Sequence, residues 1–270
     1  MKIGILDNIS KEKTKETLGD FQNYLQKCGH ETVYFSELKE INNVDVMIVL
    51  GGDGAILHAA VPAAQKHIPI IGINYGNLGF LTEYEKSERE KVQELLTLFS
   101  EQKCRIVKRS ILEVIINGES YYALNEIAIQ RNYGQLVERI GQTQILKLQI
   151  NGDEGSDLIC GDGVLFCTPT GSTAYSLSAG GAILTPEVPV IMMTPICAFS
   201  MRARPIVFSD SSVFSVKNVK GNAVILVDGK AIATLNQEQE IRIQKAPFTA
   251  DFPVKNDLDF FTKVRKKLND

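Results

Sequence analysis

The chain has 270 residues, of which 44% are hydrophobic and 23% are charged, and it carries a formal net charge of −3. This length accommodates two modest domains or one large one, and the composition is typical of a soluble globular protein. The slightly acidic balance argues against a nucleic-acid-binding protein, which usually has an excess of basic residues.

Cysteine placement and hydropathy indicate the compartment. The five cysteines and three histidines are scattered, and no C-x-x-C pair occurs. We therefore expect neither a zinc site nor a disulfide framework, and a reducing cytoplasm is the default. No segment approaches the ~18 apolar residues of a membrane span, and the strand-like start lacks the features of a signal peptide. We expect a cytoplasmic protein with neither a membrane nor nucleic acid as its partner.

The first hundred residues alternate strands and helices. Predicted strands cover 2–6, 31–35, 44–50 and 68–73, and predicted helices cover 11–28 and a segment that buries Val92, Leu95, Leu96 and Phe99. Ser87 begins a capping box ahead of the second of these helices. Alternation of this kind implies an α/β domain, in which a parallel sheet carries helices on its faces.

After Lys103 short alternating segments replace the helices. The predicted strands are separated by turn dipeptides, and they cover 112–116, 121–125, 145–150, 164–167, 212–216, 224–227 and 241–243. We expect an all-β, sandwich-like domain and a C-terminal helix over 258–268 that returns to the first domain. The predicted domains are 1–100 plus 257–270, and 101–256. We interpret the basic residues of 263–267 as the solvated face of that helix.

The glycine-rich turn 51–54 is the first segment that indicates chemistry. It lies between a buried strand and a helix, so its backbone N–H groups and the helix dipole favour a phosphate. The turn also carries an acid, Asp53, which could take a proton from an attacking hydroxyl or hold a metal ion beside phosphates. A tight turn with Asp53 as a helix cap explains the motif about equally well. Pro62 predicts that this helix kinks or restarts.

Segment 72–83 follows the next strand, so it should lie at the same carboxyl edge of the sheet, where ligands bind in open α/β sheets. Gly76 and Gly79 allow close approach of the backbone to a ligand. Phe80 either stacks on a base or fills the junction between domains, and the second role is at least as common for an isolated aromatic residue.

Two short pairs are weaker signals. Asn125-Glu126, at the end of a predicted strand, could read a purine edge and a ribose hydroxyl, although a surface loop pair is the more common explanation. Asp228-Gly229 is typical of a hairpin turn, and its carboxylate is an additional candidate for the same cleft.

Segment 161–181 is the longest polar motif. A predicted strand ends in the hydroxyl-rich turn 168–173, which leads into a short helix with small residues. Neutral hydroxyls and backbone amides suit a polar, phosphate-bearing ligand. Turns rich in Ser and Thr are usually only turns, but the density of small residues goes beyond that. The absence of a G-x-S-x-G elbow argues against a serine hydrolase.

Taken in order along the whole chain, these segments resemble the NAD kinase family. Gly51-Gly52-Asp53-Gly54 matches the family's glycine-Asp motif, and Asn74 to Glu83 resembles its N-x-G-x-L-G-F-L-T segment. Asn125-Glu126 matches its Asn-Glu pair. Gly161 to Gly181 matches its G-D-G and T-P-T-G-S-T-A-Y-S-L-S-x-G-G motifs almost letter for letter.

The resemblance implies an α/β domain followed by a β domain, with NAD bound between them and phosphorylated at the 2′-hydroxyl of its adenosine ribose. It implies ATP or polyphosphate as donor at Gly51, Gly52 and Gly54, Mg²⁺ held with the phosphates rather than at a protein-only site, and Asp53 as the catalytic base. The implied NAD-binding residues are Asp53, Gly54, His58, Phe80, Asn125, Glu126, Asp162, Thr173, Ala174, Tyr175 and Ser178. A homo-oligomer, either a tetramer or a dimer, is also implied, with Ser178 reaching a neighbour's site.

The chain departs from the family pattern at three positions. Ala55 replaces a common Thr, His58 replaces Arg or Lys, and Cys160 replaces Arg. A lost positive charge would weaken phosphate binding or shift substrate preference. Two alternatives stay open: a lipid or sugar kinase of the same superfamily, and a dinucleotide sensor that binds without turnover.

Overall fold

The computed structural model describes residues 1–7, 11–75, 79–132, 143–153, 157–255 and 260–268. The chain forms two compact units. Met1–Lys108 and Ala250–Asp270 form the first, which we call the α/β unit, and Arg109–Thr249 forms the second, which we call the β unit.

The α/β unit is built on a five-stranded sheet with the order β2-β1-β3-β4-β5. Its strands are parallel and comprise β1 Lys2–Asp7, β2 Glu31–Phe35, β3 Val46–Leu50, β4 Ile70–Asn74 and β5 Tyr84–Glu85. The helices are α1 Lys11–Lys27, α2 Asp53–Ala64, α3 Arg89–Ser100 and α5 Phe260–Leu268, with a short 3₁₀ helix at Leu38–Glu40. Every residue of β3 and β4 is buried, as expected for central strands covered on both faces. The predicted parallel α/β architecture is confirmed.

Two local predictions in this unit are wrong, namely a restart of α2 at Pro62 and a capping box that begins at Ser87. Helix α2 continues through Pro62 instead of restarting there, because Pro62 lies in the last turn and only one backbone bond is lost before the helix ends. Ser87 does not begin a capping box, since α3 has Glu88 as its N-cap. The Glu88 carboxylate accepts the Glu85 N–H at 3.0 Å and so stabilises the turn ahead of the helix.

The β unit contains two six-stranded antiparallel sheets. The first has the order β10-β9-β14-β17-β6-β7, and the second has the order β13-β12-β11-β8-β15-β16. The strands are β6 Arg105–Ile116, β7 Glu119–Ala123, β8 Glu126–Arg131, β9 Gln144–Ile150, β10 Asp157–Gly161, β11 Gly163–Cys167, β12 Val190–Ile196, β13 Ile206–Ser209, β14 Phe214–Lys220, β15 Ala223–Val227, β16 Lys230–Leu235 and β17 Glu240–Val254. A 3₁₀ helix at Thr170–Thr173 and α4, Tyr175–Ser178, follow β11.

Side chains from both sheets form one hydrophobic cluster. Leu112, Leu146 and Phe214 come from the first sheet, and Ile127 and Phe166 come from the second. Phe166 and Phe214 pack with ring centroids 4.8 Å apart. Shared burial of this kind is the basis of a sandwich, so the predicted sandwich-like β domain is confirmed.

Helix α5 packs within the α/β unit, as predicted. The ammonium of Lys263 donates to the Thr82 carbonyl and contacts the Glu83 carboxylate, each at 3.1 Å, and Val264 is buried. None of the helices in the described part of the chain is long and apolar enough to cross a membrane.

Candidate functional site

The glycine turn joins the end of β3 to the start of α2. Gly52 is the N-cap of α2 in an extended conformation, and the Gly51 N–H donates to the Ile73 carbonyl at 3.0 Å, which ties the turn to β4. A Cβ built on Gly52 or Gly54 would meet no atom within 4 Å. Because the first N–H groups of a helix have no intrahelical acceptor, this open face presents donors and the positive end of the helix dipole. The turn therefore suits an anion.

The Asp53 carboxylate is held by the segment that follows β4. Its Oδ2 accepts the Phe80 N–H at 2.7 Å, and its Oδ1 accepts the Leu81 N–H at 2.9 Å. A Cβ on Gly79 would lie 2.1 Å from Asp53 Oδ1, so only glycine leaves room for the carboxylate. The first two sequence motifs thus meet at Asp53, and the two amides set the orientation of its carboxylate. Residues 76–78 of the second motif lie outside the described residues.

Lys267 contacts the same carboxylate. Its ammonium lies 3.6 Å from Asp53 Oδ2 and 4.5 Å from the centroid of the Phe80 ring. The interpretation of residues 263–267 as a solvated face is therefore wrong for Lys263 and Lys267, which lie four residues apart on one face of α5. The helical spacing of the two lysines was readable from the sequence, but their partners were not.

His58 is the predicted site residue farthest along α2. It lies four residues after Gly54, so both occupy the same face of the helix, and both are exposed. A ligand that covers the Gly54 side of the helix would therefore reach the imidazole.

In the β unit, the Asp228 carboxylate holds the backbone of the Asn-Glu pair. Its Oδ2 accepts the Leu124 N–H at 2.8 Å, and its Oδ1 accepts the N–H groups of Asn125 at 2.8 Å and Glu126 at 3.1 Å. Asp228 adopts φ 47° in the turn between β15 and β16, a conformation that Asp tolerates better than most residues. It therefore fixes where Asn125 and Glu126 point.

The Glu126 side chain is only 6% exposed. Burial, and to a lesser extent the Asp228 charge, raises the pKa of Glu126 to about 7. The hydrogen bond from the Tyr175 N–H lowers this pKa and so offsets part of the rise. Glu126 Oε2 has no hydrogen-bond partner within the described residues. A buried carboxyl group with one unused oxygen is costly unless a ligand group completes it. Near neutral pH this group populates both protonation states.

The hydroxyl-rich segment has the predicted order of strand, turn and short helix. Several of its hydroxyls, however, are buried and hydrogen-bonded inside the fold. Thr168 Oγ1 donates to the Leu124 carbonyl at 2.6 Å, Ser172 Oγ donates to the Pro169 carbonyl at 2.6 Å, and Ser176 Oγ lies 3.0 Å from Thr194 Oγ1. These three side chains stabilise the turn, and that accounts for much of the local density of Ser and Thr.

The predicted ligand residues of this segment are those at its surface. Thr173 and Ala174 are half-buried, and Tyr175 and Ser178 are exposed. A Cβ on Gly171 would lie 2.1 Å from the Asn125 carbonyl oxygen, so the turn packs directly against the Asn-Glu pair. Together with the Tyr175–Glu126 bond, this contact places both motifs at one end of the β unit.

Asp162 lies at the other end of the same strand pair. Antiparallel pairing joins Cys167 to Glu126 and Gly163 to Gln130. Asp162 is five residues from Cys167, which corresponds to roughly 17 Å at the usual rise of a strand. The Tyr175 hydroxyl donates to Gln130 Oε1 at 3.3 Å, and Gln130 lies at the Asp162 end because it pairs with Gly163. The predicted residues of the β unit thus follow an elongated line.

Arg131 is a residue that the sequence motifs missed. The Arg131 guanidinium lies 3.2 Å from Asp162 Oδ1, and the backbone N–H of Arg131 donates to the Asp162 carbonyl at 2.8 Å. A positive charge therefore neighbours Asp162 even though position 160 is Cys. Only the antiparallel pairing of β8 with β11 brings Arg131 there. Within the described ranges, no group of three or more His, Cys, Asp or Glu side chains could hold a metal ion.

Comparisons with known proteins give one consistent result. The family model described as ATP-NAD kinase N-terminal domain matches residues 3–104, and the model described as ATP-NAD kinase C-terminal domain matches residues 124–253. The NAD kinase of Methanothermobacter thermautotrophicus is 34% identical over 283 aligned positions, with 99% of this chain and 96% of that protein covered.

Two solved structures are also similar. Yeast NADH kinase complexed with NADH aligns with a TM-score of 0.86 at 25% identity, covering 100% of this chain and 87% of that one. An NAD kinase from Archaeoglobus fulgidus in complex with ATP aligns with a TM-score of 0.80 at 27% identity, covering 98% and 99% respectively.

Proposed function

The chain belongs to the NAD kinase family and is a phosphotransferase of that class, and we propose that it transfers a phosphoryl group from ATP to the 2′-hydroxyl of the adenosine ribose of NAD, giving NADP. The observation that carries this proposal is Asp53, a carboxylate on a glycine turn that suits an anion, oriented by amides at 2.7 and 2.9 Å. The names of the two solved relatives, one with NADH and one with ATP, support a dinucleotide acceptor and ATP as donor. Polyphosphate remains a second donor to be compared in the assay.

We propose that Asp53 is the general base. It accepts the proton of the 2′-hydroxyl as that oxygen forms its bond to the γ-phosphorus and the bond to the bridging β,γ-oxygen breaks. Each carboxylate oxygen has a second lone pair beyond the one that accepts an amide, so Asp53 can still take a proton. General-base catalysis of this kind contributes ~10²–10⁴-fold to the rate.

The glycine turn is the proposed donor site. Gly52 and Gly54 leave space beside the N-terminus of α2, where amides and the helix dipole favour phosphate oxygens, and Gly51 begins the turn that carries them. Most of the remaining barrier lowering in phosphoryl transfer comes from positioning and from charge stabilisation.

The family also implies Mg²⁺. The neighbours of Asp53 are two amide N–H groups and an ammonium, a set of donors that suits phosphate oxygens and not a cation. The surroundings of Asp53 therefore do not form a magnesium site by themselves. Mg²⁺ usually keeps several waters and binds through substrate phosphates, so we propose that it enters with the donor.

The β unit supplies the larger part of the proposed dinucleotide site. Asn125 and Glu126 hold the adenosine half, and Glu126 Oε2, which has no hydrogen-bond partner among the described residues, would receive a hydroxyl or amino group of it. The rest of the ligand follows the elongated line of exposed and half-buried residues, comprising Thr173, Ala174, Tyr175, Ser178 and Asp162. We propose that Asp228 acts through the backbone amides that it binds. In the α/β unit, Gly54, His58 and Phe80 are the proposed dinucleotide contacts. We also propose a cytoplasmic homo-oligomer, with Ser178 reaching the site of a neighbouring subunit.

A single assay tests the activity. The purified protein is mixed with NAD, Mg²⁺ and either ATP or polyphosphate, and NADP is measured with an NADP-specific dehydrogenase. NADP formation supports the proposal, whereas binding of NAD without any product would favour the dinucleotide sensor. Phosphorylation of a lipid or sugar but not of NAD would favour the rival kinase.

Asp53→Asn tests the base. We expect it to lower kcat by ~10²–10⁴-fold. The matched control is Asp20→Asn, which changes an exposed aspartate of α1 in the same unit and should leave kcat unchanged. A near wild-type rate in Asp53→Asn, with the melting temperature also unchanged, would show that the general-base role is wrong.

A further inference from the structure

The side chain of Lys267 lies beside the Asp53 carboxylate, although both oxygens of that carboxylate already accept hydrogen bonds from other groups. The Asp53 oxygens already accept two backbone amides, and the ammonium lies 3.6 Å from Oδ2, longer than a usual hydrogen bond. The Lys267 side chain is 29% exposed and that of Asp53 is 32% exposed. A long, half-exposed side chain in a loose ion pair can change partner at little cost, because both groups keep part of their hydration.

Helix α5 holds this lysine in place from one turn away. Lys263, on the same face of the helix, is anchored to the Thr82 carbonyl and the Glu83 carboxylate, with its side chain only 14% exposed. Lys266, which directly precedes Lys267, is exposed. The helix is therefore fixed against the segment that also binds Asp53, and Lys267 is the next residue on that face.

The glycine turn lacks a positively charged side chain of its own, and the ammonium of Lys267 can supply one. Residues 51–64 include no Lys and no Arg, and their one histidine, His58, is exposed. Phosphoryl transfer spreads negative charge over the oxygens of the transferred group, and cations beside those oxygens lower the barrier. The carboxylate that takes the hydroxyl proton must lie next to the transferred phosphorus, so an ammonium beside Asp53 reaches those oxygens by rotating its side chain.

We propose that Lys267 is a further catalytic residue, which binds the γ-phosphate of the donor and stabilises the charge that builds on it during transfer. This inference rests on the proposed function. Before the donor binds, the ammonium pairs with Asp53; when the donor binds, it moves to the γ-phosphate oxygens and leaves the carboxylate available for the hydroxyl proton. The ammonium keeps its protons throughout, and the electron pair of the broken phosphorus–oxygen bond leaves with ADP.

Three variants test the proposal in the full-length protein: Lys267→Met, Lys267→Arg and the control Lys266→Met. We measure kcat and the KM values for ATP and for NAD. Lys267→Met should lower kcat/KM for ATP by about 10²-fold, the usual cost of removing one donor that stabilises transition-state charge. Lys267→Arg should recover most of that loss, and Lys266→Met should match the wild type. The KM for NAD should change by less than about threefold in all three variants, since only a donor contact is removed.

The results separate this inference from the proposed function. If the wild type forms NADP but Lys267→Met keeps its kcat and its KM for ATP within about twofold, the role of Lys267 is wrong and the proposed function stands. A gain of activity in Lys267→Met would also overturn it, because the lysine would then act only as an inhibitory partner of Asp53. Melting temperatures of Lys267→Met and Lys266→Met within a few degrees of each other exclude a folding defect as the cause of a loss. If the wild type forms no NADP, the proposed function and this inference fail together.

Discussion

Replacing Glu126 by glutamine removes a buried carboxyl group and keeps its shape and its acceptor for the Tyr175 N–H. In the folded protein, burial and then the Asp228 charge raise the pKa of Glu126 from its ordinary value of 4.5 to about 7. The folded state therefore binds this proton more tightly than the unfolded chain does. The stability that the protonated group contributes is complete below pH 4.5 and is lost as the pH rises through 7.

The size of the effect follows from the two pKa values. Each unit of difference corresponds to about 1.4 kcal/mol, and titration of both states between pH 5 and pH 8 gives a loss of about 2.5 kcal/mol. Glutamine carries no charge, so Glu126→Gln should not show this loss. We expect the variant to gain about 2.5 kcal/mol relative to the wild type when the pH is raised from 5 to 8.

Urea unfolding followed by circular dichroism at pH 5, 6, 7 and 8 measures this difference, and other titrating groups cancel when the two proteins are compared at each pH. Glu113→Gln is the matched control. Glu113 is also buried in the β unit, but its two oxygens accept hydrogen bonds from the Tyr122 hydroxyl and from Gln244. The control separates the effect of Glu126 from the general effect of replacing a buried carboxyl group in the β unit. Parallel curves for the wild type and Glu126→Gln from pH 5 to pH 8 would refute the reasoning.

Three substitutions test the geometry of the glycine turn with Asp53 and of the Asn125-Glu126 pair. Gly79→Ala places a Cβ 2.1 Å from Asp53 Oδ1, so kcat for NADP formation should fall about 10²-fold as the carboxylate is displaced; an unchanged kcat would contradict this. Gly54→Ala meets no atom within 4 Å, so its unfolding free energy should stay within about 0.5 kcal/mol of the wild type. Its KM for ATP should nevertheless rise, and a wild-type KM would argue against donor phosphates at the turn. Asp228→Ala leaves three backbone N–H groups without their acceptor, which should cost about 2–4 kcal/mol in urea unfolding and raise the KM for NAD. A wild-type unfolding midpoint would show that water replaces the carboxylate.

The elements that depend on local pattern were predictable from the sequence. The alternation of apolar runs and helical faces up to Phe99 predicted the parallel sheet, and the Asp228-Gly229 pair predicted the turn between β15 and β16. Strands β5, β8, β10, β12, β13 and β16 were not among the predicted strands. Contacts that depend on which strands become neighbours were not predictable either. The bonds from Asp228 to residues 124–126 exist because β15 pairs with β8, and no local signal shows that pairing.

Side-chain competition explains the other differences. The sequence pattern predicts that the hydroxyls of 168–178 face a polar ligand. Ser172 and Ser176 instead form hydrogen bonds with Pro169 and Thr194, because buried polar groups need partners inside the protein. The sequence pattern predicts Lys267 as a surface charge because its partner, Asp53, lies more than 200 residues away along the chain. A helix face with two lysines one turn apart indicates a shared environment, but it does not name the acid that they meet.

The contact between Gly79 and Asp53 has an evolutionary consequence. A side chain at position 79 and the carboxylate at position 53 cannot occupy the same space, so position 79 can carry a larger residue only where that carboxylate is lost or displaced. A relative that carries any larger residue where this chain has Gly79 should therefore also have lost the acid where this chain has Asp53. Coupled substitution of this kind is the record that spatial contact leaves in related sequences. Position 79 thereby offers a way to recognise, among distant relatives, chains that have kept the fold and abandoned the chemistry.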